Sequence, residues 1–101
     1  MTPGSLTRLE AQGIRLLTET KAHAIFVRDN CMAVVTRRED GVLDVGSSGL
    51  ITERGLAFLV LREQRPLLAS HGTEVPAEPE QVEAIRRFST DLKAALGDRA
   101  I

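Results

Sequence analysis

The sequence predicts an α+β domain, an antiparallel four- or five-stranded sheet with an N-terminal and a C-terminal helix, in the order α-β-β-β-β-β-α. Three observations carry that expectation. Val82, Ile85, Phe88, Leu92 and Leu96 recur every three or four residues, the spacing of an amphipathic helix. Two β-favouring runs, His23–Arg28 and 31–36, flank Asp29-Asn30, residue types that tolerate the positive φ of a two-residue hairpin. Between that hairpin and the last helix lie short apolar runs punctuated by glycine and proline.

Taken in order, the first helix is expected over about 5–20. Thr7 and Glu10 have the spacing of a capping box, and Leu6, Leu9, Gly13, Leu16 and Leu17 form one stripe. Gly13 in mid-helix costs about 1 kcal/mol relative to alanine. In the hairpin after it, Arg28 should face Cys31, Phe26 should face Ala33 and Ala24 should face Val35. Its other face carries His23, Ile25, Val27, Met32, Val34 and Thr36, so both faces are largely apolar. A sheet with one wet side alternates apolar with polar. Each face of this one needs a cover.

Glu39-Asp40-Gly41 reads as a turn into a short strand over 42–45, and Gly46-Ser47-Ser48-Gly49 as a flexible break. Residues 55–62 read as a buried strand paired across Glu63-Gln64 with 66–70, Pro66 implying an edge; a helix over 53–63 is the competing reading. Residues 73–79, with two prolines, read as a loop. Pro79 suits the first position of the last helix, Glu83 and Arg87 form an exposed pair, and Gly97 supplies a stop.

The chain's 101 residues, 43% of them hydrophobic, fit one domain over 1–101, with 1–4 and 98–101 frayed. The formal charge of −1 lacks the basic excess of a nucleic-acid binder, and with no Trp or Tyr there is no evident stacking platform. Nucleic acid would become a partner only if several of Arg28, Arg37, Arg38, Arg62 and Arg65 clustered at the hairpin tips. The longest apolar run, residues 56–61, falls far short of the roughly 20 that span a bilayer, so no membrane partner is expected. One cysteine and no signal peptide at the N-terminus point to a soluble, cytoplasmic protein without disulfides.

Chemistry is sparse. Residues 46–49 have neither the lysine of a phosphate loop nor the pattern of a nucleophile elbow, so a plain turn is favoured. His23, His71 and Cys31 lack the spacing of metal ligands, and no metal or other cofactor is expected. Cys31 reads as a small buried hydrophobe, and Glu74, Glu78, Glu80 and Glu83 as a solvated loop and helix start.

The order helix, antiparallel strands, helix resembles small modules of the profilin-like, roadblock and GAF type. The likeness is in topology only, and no functional residue comes with it. The expected function is therefore a small non-catalytic interaction or regulatory module, acting as a homodimer and with another protein as a further partner. The alternative is a small-molecule-binding domain or minor enzyme, with Ser47, Ser48, Ser70 and His71 converging where residues 46–49 meet His71.

Overall fold

A computed structural model describes residues 3–39 and 43–96. Helix α1 (Pro3–Ala11) leads into β1 (Arg15–Glu19), β2 (His23–Arg28), β3 (Cys31–Arg37), β4 (Leu43–Thr52), β5 (Gly55–Arg62), β6 (Arg65–Ser70) and β7 (Thr73–Pro76). Helix α2 (Pro79–Leu96) closes the chain. The strands form one seven-stranded antiparallel meander in sequence order.

Seven strands replace the expected four or five, and the topological resemblance drawn from that shorter order lapses with it. The first extra strand comes from a helix that ends early. Gly13 adopts φ +71°, its N–H donates to Glu10 O at 3.0 Å, and the N–H of Ile14 donates to Leu9 O at 2.9 Å. Those two bonds are the signature of a Schellman C-cap, and Leu9 and Ile14 supply the buried apolar contact that accompanies it. Gly13 thus ends α1. Leu16 and Leu17 lie on the edge strand β1, both exposed, and Thr7 sits within α1 and not at its cap.

The second difference is at Gly46-Ser47-Ser48-Gly49, which lies inside β4. Val45 pairs with Val35 and Ser48 with Ala33, so β4 spends one extra residue there, a β-bulge that keeps the strand going. Glycine at 49 has a steric cause: a Cβ would come within 1.9 Å of the Ala57 carbonyl oxygen on β5.

The third is β7, in the stretch expected to be a loop. The turn His71-Gly72, with φ +49° and +79°, joins β6 to β7 as a two-residue hairpin between Ser70 and Thr73. Pro76 is tolerated because β7 is an edge strand. Pro66 lies on β6, between β5 and β7, and not on an edge. Its ring stands near the strand start, and its carbonyl accepts from Ala77 just past the end of β7.

Other expectations hold. Asp29-Asn30 and Glu63-Gln64 form turns with both φ positive, and Arg28 pairs with Cys31, Phe26 with Ala33 and Ala24 with Val35. Residues 55–62 are strand, not helix. On α2, Ile85, Phe88, Leu92 and Leu96 are buried, Arg87 pairs with Glu83 at 3.0 Å, and Gln81 Oε1 accepts the Glu78 N–H at 2.8 Å as half of a capping box. Pro3 and Gly4 are helical, not frayed, whereas the Asp40-Gly41 turn, Val42, the Gly97 stop and the frayed end at 98–101 lie outside the described residues.

Both helices lie on one face of the sheet. Leu9 of α1 and Ile85, Phe88 and Leu92 of α2 pack with Phe26, Cys31, Ala33, Val35, Ala57 and Leu68 into one core. Arg28, at the end of β2, ties the layers together. Its Nη2 donates to Asp91 Oδ2 at 2.8 Å, its Nη1 donates to Gln12 O at 3.1 Å, and the guanidinium stacks 5.5 Å from the Phe88 ring centre. A cation is favoured at the carbonyl end of α1, and the carboxylate of α2 completes the site. Arg28→Ala is accordingly expected to cost about 2–3 kcal/mol in urea unfolding, from a lost charge-assisted hydrogen bond and ring contact. Arg37→Ala, on an exposed side chain, should stay within about 0.5 kcal/mol.

Candidate functional site

Strand alternation sends one set of side chains toward the helices and the other set away. From β2 to β6 the outward set is Ile25 and Val27, Met32 and Val34, Ile51, Leu56, Phe58 and Val60, and Leu67 and Ala69. Met32 and Val27 are buried by their neighbours, at 0% and 3% exposure, and the others are half-buried. None of them belongs to the core beneath the helices, and both helices lie on the other side. The result is a continuous apolar face five strands wide. At its margin Arg62 spans to Glu74, with Nη2 2.8 Å from Oε2, while Asp44 is placed 3.7 Å from Arg38.

The second feature is at one end of the sheet, where the β4–β5 and β6–β7 turns meet. His71 Nε2 lies 3.1 Å from Arg54 O; since the carbonyl only accepts, that ring nitrogen carries the proton. Thr52 Oγ1 accepts from the Arg54 N–H at 3.2 Å and donates to Gly55 O at 2.9 Å, bracing the opposite turn. On the helix side these turns enclose a hollow of about 190 Å³ with an apolar floor of Ala57, Leu68 and Val75. Thr52, Arg54, Ser70, His71 and Thr73 complete its lining. The Ser70 hydroxyl is buried there and has no hydrogen-bond partner among the described residues.

Of the residues singled out in the sequence, Ser70 and His71 therefore come together in a hollow. Ser47 and Ser48 do not line it: both sit at the bulge of β4, Ser47 exposed and Ser48 half-buried opposite Ala33. Some four residues of strand, about 13 Å, separate Ser48 from Thr52. Sequence reading missed Thr52, Arg54 and Thr73. The signal that could have found them is the pair of short turns, Glu53-Arg54 before a glycine and His71-Gly72, each between β-favouring runs.

Cys31 is buried in the core, and desolvation pushes its thiol above the ordinary value, outweighing the opposite pull of Arg28. A thiol in that state is a poor nucleophile at neutral pH. Among the described residues no cluster of His, Cys, Asp or Glu could hold a metal ion, and no helix is long and apolar enough to cross a membrane. The arginines divide. The β2–β3 and β5–β6 turns lie at opposite ends of the antiparallel sheet, so Arg28 is remote from Arg62 and Arg65, and Arg28, Arg38 and Arg62 each face a carboxylate. Comparison with known families, with curated proteins and with solved structures finds no match for this chain.

Proposed function

We propose that this chain is a non-catalytic interaction module that works as a homodimer, joined through the helix-free face of the sheet. The observation that carries the reading is that face itself: Ile25, Val34, Ile51, Leu56, Phe58, Val60 and Leu67 lie together, half-exposed, with no element of the described chain over them. Five strands of about six residues give a face of roughly 24 by 20 Å. Two such faces in contact remove about 1,000 Å² from water, the lower threshold for a specific interface.

A second copy suits this surface. The net charge of −1 opposes self-association only weakly, and the margin offers both signs, Arg15 and Arg65 against Asp44. A two-fold arrangement can set an arginine of one margin against Asp44 of the other. Regulation would then act through whatever protein reads the dimer. The lone, buried thiol of Cys31 supports a cytoplasmic setting for it.

Single charges placed on the two sides of β5 test the reading. Val60→Glu puts a carboxylate on the associating face, and light scattering should show about 11 kDa where the unmodified chain shows about 22 kDa, two copies of 11.0 kDa. Leu67→Lys should do the same from β6. Leu61→Glu, one residue along but on the opposite side and 64% exposed, should leave the dimer intact. Dimeric mass for a folded Val60→Glu or Leu67→Lys variant would refute this interface.

A further inference from the structure

The apolar face leaves the hollow at the other side of the sheet unexplained, and its lining is chemically specific. At about 190 Å³ it is smaller than the roughly 300–1,000 Å³ of sites for drug-sized ligands, so only a small molecule fits. Its floor, Ala57, Leu68 and Val75, is apolar. Arg54 is the charged residue of the lining, and among the described residues no ion pair engages its guanidinium and no Asp or Glu lines the hollow. The nearest acid on β7, Glu74, is held on the opposite face by Arg62.

The buried hydroxyl of Ser70 adds an independent mark. A hydroxyl withheld from water with no partner opposes folding, and such a residue persists more readily where a ligand uses it. Ser70 belongs to the wall of the hollow, so its hydroxyl is the neutral donor a ligand there would meet. The surrounding frame is fixed: Thr52 braces one turn and the His71–Arg54 bond staples it to the other.

We propose that this hollow binds a small aliphatic carboxylate, its charged end held by Arg54 and the Ser70 hydroxyl and its short chain lying over Ala57, Leu68 and Val75. Each part of the ligand answers one part of the lining. The carboxylate accepts from guanidinium and hydroxyl, and the apolar end covers a floor that water serves poorly. The hollow faces the helix side, so the outcome here is separate from that of the dimer interface.

The test is a titration of the full chain with isovalerate, monitored by amide ¹H–¹⁵N spectra, with isovaleramide and acetate as controls. Saturable shifts are expected at Arg54, Ser70 and His71. Isovaleramide, lacking the charge, and acetate, lacking the apolar chain, should each bind about tenfold more weakly. Ser70→Ala should weaken isovalerate binding several-fold while raising the melting temperature, since it deletes an unpaired buried hydroxyl. Arg54→Gln should abolish the preference for acid over amide. The proposal is overturned by the absence of saturable shifts at these amides up to about 50 mM. Equal binding of acid and amide, or unchanged binding by Ser70→Ala, overturns it as well.

Discussion

Gly49→Ala is expected to destabilise the domain by about 3 kcal/mol, the upper end of what overpacking costs. The added methyl would sit 1.9 Å from the Ala57 carbonyl oxygen and within 2.8 Å of the Ala57 carbonyl carbon and of the Phe58 Cα. All three are backbone atoms of β5, so no side chain can swing aside. Either β4 and β5 separate locally or the strain is retained. With a slope of about 1.5 kcal/mol per molar, the midpoint of urea unfolding should fall by about 2 M. Ser47→Ala, two residues earlier at the exposed bulge, should move it by less than about 0.5 kcal/mol. A Gly49→Ala variant with a normal midpoint would show that β5 does not approach β4 so closely.

Phe88→Ala should cost still more, about 3–5 kcal/mol. The ring is fully buried, lies in the core with Ile85 and Leu92, and is also the surface on which the Arg28 guanidinium rests. Its removal opens a cavity at the centre of the helix–sheet layer and takes away one of Arg28's three partners. For a domain whose total stability is about 5–15 kcal/mol, that leaves a marginal fold. Thermal unfolding monitored by circular dichroism should show a fall of at least about 12 °C. Phe88→Leu, which keeps most of the volume, should lose well under half as much.

The parts of this fold that the sequence discloses are those set by local chemistry. The β2–β3 register comes from Asp29-Asn30 and two β-favouring arms, and α2 comes from one apolar stripe with proline at its start. What stayed hidden depends on partners distant in sequence. The leucines on either side of Gly13 fit a single helix by spacing alone, and only the cap geometry, with Ile14 folding back on Leu9, divides them. Gly46-Ser47-Ser48-Gly49 has the composition of a loop, yet β3 and β5 pair with the strand that contains it and override that preference. Likewise β7 carries a proline that a central strand would reject and an edge strand accepts.

The hollow divides in the same way. Ser70 and His71 are neighbours in the chain, and one histidine beside glycine is enough to mark them. Thr52 and Arg54 arrive from a different hairpin, carried there by the pairing of β5 with β4 and β6. No local pattern ties those two turns to each other. Ser47 and Ser48, conspicuous for their glycine neighbours, instead serve the bulge that keeps β4 in step with β3.

The apolar pattern on both sides of the β2–β3 hairpin carries more weight than any motif, because the two helices satisfy one side of it and leave the other. Sedimentation equilibrium of the unmodified chain measures most directly whether a second copy covers that remaining side. A mass near 22 kDa at micromolar concentration, twice the 11.0 kDa of one chain, is the result expected. A single 11.0 kDa species persisting to about 1 mM would contradict the central claim, leaving the outer face of the sheet to water.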